Sequence, residues 1–163
     1  MKPIYLDNAA TTPMDPEVIK AMIPYMETHF GNPSSSHSFG RKTKTAIEQS
    51  RRRIAGLLNC SPAEICFTSG GTEADNLAIC SAVKDLGCTR IITTPIEHSA
   101  VIKTADTMEA LGLAKVIHVN LLENGHVDLD HLSALLSNGE GKALVSLMHG
   151  NNEIANLLPL EKV

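Results

Sequence analysis

From residue 64 onward, short apolar runs alternate with longer segments of helical periodicity. The predicted strands cover 64–67, 90–94, 115–119 and 143–148, and the predicted helices between them cover 72–85, 100–111 and 129–136. Continuous apolar runs such as 90–93 are typical of strands that are covered on both faces. The alternation therefore predicts an α/β fold with a mostly parallel sheet and flanking helices.

The segment before this alternation is helical in pattern. Apolar side chains at helical spacing predict helices over 17–27 and 39–58, and a turn-rich stretch over 30–38 separates them. A further turn is predicted at 123–125, where Glu-Asn-Gly precedes the last helix.

Composition and charge exclude several classes of protein. With 43% hydrophobic and 20% charged residues, the 163-residue chain resembles an ordinary soluble domain. The net charge of −4 does not indicate nucleic-acid binding, and the basic run Arg51-Arg52-Arg53 fits a solvated helix face. No apolar run approaches the ~18 residues of a membrane span, and the first residues lack the apolar stretch of a signal peptide. We therefore expect a cytoplasmic protein with no nucleic-acid or membrane partner.

The cysteines do not indicate a metal or redox site. Cys60, Cys66, Cys80 and Cys88 form no C-x-x-C pair and show no zinc-ligand spacing. We expect Cys66 to be buried in the strand over 64–67 and Cys80 to be buried in the following helix. No metal site is predicted.

The segment 68–72, Thr-Ser-Gly-Gly-Thr, has two interpretations. Bare glycines at the start of a helix expose N–H groups that, with the helix dipole, attract an anion such as a phosphate. The alternative is a plain strand-to-helix turn. Thr72 could serve as an N-cap, contact a phosphate, or do both. Glu73 and Asp75 would repel a phosphate unless their carboxylates point away from it.

Two further polar clusters follow predicted strands, at 97–99 and at 149–153. Ligands of open α/β sheets bind beyond the carboxyl ends of the strands, where segment 68–72 is also expected. The sequence therefore predicts one crevice that collects all three clusters.

His98 and the pair Asn151-Asn152 also have alternatives. The His98 ring could stack on a planar cofactor or move a proton, or it could cap a helix or lie solvated in a loop. A metal-ligand role fits poorly, because no second histidine lies one helical turn away. The asparagines could form a turn with left-handed dihedrals, or present an amide to a cofactor oxygen or a substrate carboxylate.

Long segments of the chain, in the same order, resemble cysteine desulfurases of the NifS/IscS type. That family belongs to the class V aminotransferase group of enzymes that use pyridoxal 5′-phosphate (PLP). The segments that carry the resemblance are Tyr5–Pro13, Phe30–Ser35, Glu64–Ile79, Glu97-His98, Leu144–His149 and Asn151–Ile154.

The resemblance implies a function and roles for four residues. Gly71 and Thr72 would hold the PLP phosphate, His98 would stack on the pyridine ring and assist proton transfer, and Asn152 would contact the ring hydroxyl side and the substrate. The family reaction takes sulfur from L-cysteine, releases L-alanine and leaves a persulfide on an enzyme cysteine, for iron–sulfur cluster assembly or thiolation. PLP is the electron sink in this chemistry.

The resemblance covers only the N-terminal part of such an enzyme, the first half of a fold-type I large domain. The family's Schiff-base Lys follows a Ser-x-His beyond the Asn-Asn-Glu motif, and neither it nor the persulfide Cys is matched here. We expect an arm over 1–15, an incomplete PLP-binding domain over 16–163, and a truncated chain that is inactive alone. Uncovered apolar surface and a free strand edge predict association with itself or with a missing C-terminal half.

Two alternatives to a cysteine desulfurase stay open. One is another class V enzyme such as a selenocysteine lyase. The other is a non-catalytic module that acts through a partner.

Overall fold

The computed structural model describes residues 3–163, which divide into two compact units. One unit ends at Phe67 and the other spans Thr68–Val163. The expected division between an arm over 1–15 and a domain over 16–163 stays a prediction.

The first unit contains two helices whose starts follow from local chemistry. Helix α1 (Pro16–Glu27) begins after Asp15, whose carboxylate accepts a hydrogen bond from the Glu17 N–H at 2.7 Å. Helix α2 (Ser38–Leu58) ends at Asn59, which adopts a left-handed conformation with φ of 53°. A 3₁₀ turn (Pro62–Glu64) follows, closed by reciprocal bonds between Ser61 and Glu64. Both predicted helices are thus confirmed to within one residue.

The predicted strand over 64–67 is wrong. Glu64 belongs to the 3₁₀ turn, and the three residues after it form no strand. The carbonyl oxygen of Ile65 accepts a hydrogen bond from the Arg51 guanidinium, which also lies 4.9 Å from the centre of the Phe67 ring. The Ile65 carbonyl therefore has its hydrogen bond from a side chain of α2, and not from the backbone of a neighbouring strand. Cys66 is exposed, so its predicted burial is also wrong.

The second unit contains the predicted parallel sheet. Its elements in chain order are α3 (Gly71–Lys84), β1 (Arg90–Thr93), α4 (Ser99–Ala110), β2 (Lys115–His118), α5 (Leu129–Ser137), β3 (Ala143–Val145) and a 3₁₀ turn (Leu160–Lys162). The strand order is β2-β1-β3, and both pairings are parallel. The α/β fold class is confirmed, although β3 is shorter than predicted.

Strand β1 is covered on both faces, as its continuous apolar run predicts. Ile91 packs with α3 and α4 against Val83 and Met108, whereas Ile92 packs with Val119 and Leu132 of α5 on the other side. Successive side chains of a strand point to opposite faces, so two adjacent isoleucines form the centres of two cores. Both are fully buried.

The turn at 123–125 is confirmed. Gly125 has φ of 78° and donates its N–H to the Leu122 carbonyl at 2.8 Å. Positive φ is the conformation that glycine adopts at no steric cost. The turn leads into α5, which Asp128 caps by accepting from the His131 N–H at 2.9 Å.

Candidate functional site

The carboxyl ends of β1 and β3 bring two of the three polar clusters together. β1 pairs directly with β3, and the Ser146 N–H extends their ladder by donating to the Ile92 carbonyl at 2.9 Å. The loop 94–98 after β1 and the segment 146–153 after β3 therefore emerge side by side at one edge of the sheet.

Two hydrogen bonds join these loops. The Met148 N–H donates to the carboxylate of Glu97, and the Asn151 side-chain amide donates to the Ile96 carbonyl at 2.8 Å. Glu97 and Asn151 are both buried. The contacts of these two residues with the opposite loop were not predicted from the sequence. The available signal was a charged residue and an amide next to His98 and Asn152.

Burial raises the pKa of the Glu97 carboxyl, and the nearby charge of Asp75 acts in the same direction. The bond from Met148, together with Thr94 and His98, acts in the opposite direction. No Lys or Arg within the described range 3–163 forms an ion pair with Glu97. Glu97 is thus a buried carboxyl group that accepts a hydrogen bond but forms no ion pair among the described residues.

His98 is the N-cap of α4, so the capping interpretation is confirmed. Its Nδ1 accepts a hydrogen bond from the Ala100 N–H at 3.1 Å. In the neutral ring the proton then lies on Nε2. The side chain is exposed, and Nε2 has no hydrogen-bond partner within 3–163. Capping leaves that nitrogen available for stacking or proton transfer.

Segment 68–72 leads into the first turn of α3, and Thr72 is not its N-cap. Gly70 occupies that position, and no side chain caps it. The first backbone bond of α3 runs from the Ala74 N–H to the Gly70 carbonyl at 3.1 Å. Ala74 is the fourth residue of the helix, and the N–H groups of the three residues before it, 71–73, have no acceptor among the described residues.

The two acids of this turn have different environments. The Glu73 carboxylate turns back to Ser69 and accepts from its N–H at 2.7 Å and its hydroxyl at 2.6 Å. These bonds lower the pKa of Glu73, with the hydroxyl as the larger cause. Asp75 lies half-buried near Glu97. The glycines themselves are open, because a Cβ at Gly70 or Gly71 would meet no atom within 4 Å.

Helices α3 and α4 bring Thr72 close to the His98 loop. The Thr104 hydroxyl bonds to the Asn76 side chain, which joins the two helices. An open depression of about 340 Å³ lies between them, and its lining includes Thr72, Ser99 and Ala100. Thr72 and the residue after His98 thus share one hollow.

Asn152 lies exposed on the turn after β3, and its side chain bonds only to Glu153, at 3.1 Å, among the described contacts. The turn itself is shaped by Asn151, whose side-chain oxygen accepts from the N–H groups of Glu153 and Ile154 at 2.8 and 3.0 Å. The turn alternative is therefore borne out, but the left-handed residue is Ala155, with φ of 59°, and neither of the two asparagines. Hydrogen bonds thus join the loop of His98 to the loop of Asn152. No hydrogen bond within 3–163 links Thr72, His98 and Asn152 directly.

No three His, Cys, Asp or Glu side chains in 3–163 gather in a way that could hold a metal ion. Within the same residues, no helix has the length and apolarity needed to cross a membrane.

The described residues thus place a helix N-terminus, a histidine and an amide near the carboxyl ends of parallel strands, where open α/β sheets bind their ligands. The family model described as aminotransferase class-V matches residues 4–163, so the chain belongs to the class-V aminotransferase family. This confirms the resemblance found in the sequence.

Similar proteins are cysteine desulfurases of the IscS and NifS type. The chain is 43% identical to a cysteine desulfurase of Trichormus azollae, with 100% of the chain and 40% of that protein covered. It is 46% identical to cysteine desulfurase IscS of Neisseria meningitidis, with 93% of the chain and 38% of that protein covered. The chain therefore spans about 40% of the length of these relatives.

Solved structures agree. A NifS-like protein superposes with a TM-score of 0.85 at 36% identity, over 97% of the chain and 43% of that protein. A structure described as SspA in complex with cysteine gives a TM-score of 0.86 at 31% identity, over 97% and 45%. Both correspond to this chain over less than half of their own length.

Proposed function

We propose that this chain is the cofactor-binding part of a PLP-dependent cysteine desulfurase. The observation that carries the proposal is the junction of the loops after β1 and β3, which holds His98 and Asn152 at one edge of the sheet. Family membership supports it, as does a structural neighbour described in complex with cysteine. The reaction would take sulfur from L-cysteine, release L-alanine and leave a persulfide on a cysteine of the complete enzyme.

The residues present fit the phosphate of PLP. Three N–H groups at the start of α3 have no acceptor among residues 3–163, and there is open space beside Gly70 and Gly71. Both features suit a phosphate, which the helix dipole would stabilise. Gly71 and Thr72 would hold it, with the Thr72 hydroxyl as a further donor. The Glu73 carboxylate accepts both of its bonds from Ser69, which fixes its position within the turn.

His98 and Asn152 would act on the rest of the cofactor and on the substrate. Because Nδ1 caps α4, the exposed imidazole presents Nε2 for proton transfer and a ring face for stacking on the pyridine. Asn152 would donate its amide to the ring hydroxyl side or to the substrate carboxylate. When bound, PLP supplies the electron sink for negative charge at the substrate α-carbon.

Cofactor retention tests this proposal. The purified chain is mixed with PLP and desalted, and the retained cofactor is read from its near-ultraviolet absorbance. We expect retention by the unchanged chain and loss in Thr72→Ala and His98→Ala. Thr45→Ala is the matched control, because its hydroxyl bonds only to its own helix, at the Arg41 carbonyl. Absence of retention, or equal retention by all variants, contradicts the proposal.

Turnover separates the candidate reactions. No lysine of this chain follows a Ser-x-His, so the expected result for the chain alone is no release of alanine. A longer protein that contains this chain is expected to release alanine from L-cysteine. Faster release from selenocysteine would indicate a selenocysteine lyase, and cofactor binding without turnover in the longer protein would indicate a non-catalytic module.

We also propose that the chain associates, with a second copy or with a further segment of a longer protein. Several apolar side chains of α1 and α2 are largely exposed, with Met26 at 69% and Leu57 at 87%. Light scattering after size exclusion would give the mass, and a monomer would contradict self-association. A cytoplasmic location stays a prediction, since one relative is named a mitochondrial cysteine desulfurase.

A further inference from the structure

Both bonds between the loops after β1 and β3 are donated by the segment after β3. Loop 146–151 donates one through the Met148 N–H to Glu97, and a second through the Asn151 amide to the Ile96 carbonyl. Each joins residues more than 50 positions apart in sequence. Two such contacts at adjacent points resist both sliding and twisting of one loop against the other.

The two loops each contain a buried residue, Glu97 or Asn151, that directly precedes an exposed residue with a proposed role in cofactor binding. Glu97 precedes His98, and Asn151 precedes Asn152. Asn151 is also saturated by its own turn, because its N–H donates to the Asn156 carbonyl at 2.9 Å and its carbonyl accepts from Ala155 at 2.9 Å. The exposed residues have little tertiary support of their own, so the buried ones determine where they lie.

A carboxylate at position 97 is a costly way to make such a contact. Burying an ionised group without a cationic partner destabilises the folded state, whereas a neutral amide could accept the same bond at lower cost. The cost is offset by a stronger, charge-assisted bond to Met148, which fixes the loop more firmly.

We propose that Glu97 and Asn151 are positioning residues, which together set the separation and orientation of His98 and Asn152 across the cofactor site. This inference deepens the proposed function and rests on it. Neither residue needs to touch the cofactor, since each acts through the backbone of its exposed neighbour.

Variants that cut one bond at a time test the proposal. Glu97→Ala removes the acceptor for Met148, whereas Glu97→Gln keeps an acceptor oxygen and is the conservative rescue. Asn151→Asp keeps the oxygen that accepts from Glu153 and Ile154, but loses the amide that donates to Ile96. Should Glu97→Ala fail to fold, Asn151→Asp carries the test alone.

Glu109→Ala is the matched control. The Glu109 carboxylate also accepts from a strand N–H, that of Val116 at 2.8 Å, but it joins α4 to β2 and not the two site loops. Its loss removes a bond between a carboxylate and a backbone N–H without moving His98 or Asn152.

The first readout is the dissociation constant for PLP, measured on the whole chain by fluorescence. Because each bond fixes the position of a residue that would contact the cofactor, we expect Glu97→Ala and Asn151→Asp to weaken binding about tenfold or more. Glu97→Gln should stay within about threefold of the unchanged chain, because its bond to Met148 is retained. Binding by Glu97→Ala and Asn151→Asp that matches Glu109→Ala would overturn the proposal.

The second readout needs no cofactor and separates this inference from the proposed function. Nuclear magnetic resonance of the unliganded variants follows the His98 ring and the Asn152 side-chain amide. Shifts of both signals in Glu97→Ala and Asn151→Asp, absent from Glu109→Ala, support positioning even if the unchanged chain fails to bind PLP. Unchanged signals overturn it whatever the binding result.

Discussion

The carboxylate of Glu73 accepts two hydrogen bonds from Ser69, one from the backbone N–H at 2.7 Å and one from the hydroxyl at 2.6 Å. This pair closes the loop that precedes α3 and fixes the position of the acid in the first turn of the helix. It also answers a question that spacing alone left open, namely where the acidic side chain of the first turn goes.

Ser69→Ala is expected to raise the pKa of Glu73 toward its ordinary value of 4.5, because the hydroxyl is the larger cause of its lowering. A lowered pKa stabilises the fold above that ordinary value, and the stabilisation is lost as the pH falls through the folded value. Unfolding of the variant should therefore respond less to acid. Carbon NMR titration of the Glu73 carboxyl measures the change, and Ser133→Ala is the exposed control. An unchanged titration in Ser69→Ala would contradict the assignment.

Glu97→Gln is expected to flatten the pH dependence of stability. Burial raises the folded pKa of Glu97 above 4.5, so the folded state binds a proton more tightly than the unfolded state. The free energy of unfolding then falls as the pH rises from about 4.5 through the folded pKa. Urea unfolding at several pH values should show this fall in the unchanged chain and a smaller one in the variant. Equal slopes would mean that Glu97 titrates normally.

Gly71 and Gly125 should respond oppositely to alanine. Gly71 is helical and has open space around it, so Gly71→Ala should be neutral or raise the free energy of unfolding by up to about 1 kcal/mol. Gly125 has φ of 78°, and a Cβ would lie 2.8 Å from the Asn156 amide nitrogen. Gly125→Ala should therefore cost about 1–2 kcal/mol. Denaturant midpoints measure both, and a large loss in Gly71→Ala would contradict the open geometry of that turn.

Ile91→Ala should be among the more damaging substitutions in the second unit. Ile91 is fully buried at the centre of the cluster formed by β1, α3 and α4. Truncation there should cost about 2–5 kcal/mol through lost burial and the remaining cavity. Leu111 is 61% exposed, so Leu111→Ala should change stability by no more than about 0.5 kcal/mol. Comparable losses for the two would show that β1 is not the centre of the core.

Most of the helices and strands could be predicted from the sequence because their signals are local. Asp15 and Pro16 mark the start of α1, and the apolar run at 90–93 marks a strand with two covered faces. The strand over 64–67 was predicted on the same kind of signal and is wrong. A strand needs a partner with a free ladder, and here a side chain 14 positions earlier, Arg51, binds the Ile65 carbonyl. Periodicity contains no information about that competitor.

The edge of the sheet at which the candidate residues lie could be predicted, but the hydrogen bonds that join their loops could not. Parallel strands place their carboxyl ends at one edge, so the presence of the His98 loop and of Asn151-Asn152 at that edge follows from strand alternation. The roles of Glu97 and Asn151 depend on contacts across more than 50 residues, which no spacing rule specifies.

The order of helices and strands, the burial of Ile91 and Ile92 on opposite faces and the family resemblance were determined by the sequence itself. They depend on neighbouring residues and on motifs that can be read along the chain. The strand order β2-β1-β3, the direction of the Glu73 carboxylate and the bonds of Glu97 and Asn151 were decided only by tertiary structure. Hydrogen bonds act over about 3 Å in space, whatever the distance between their partners along the chain.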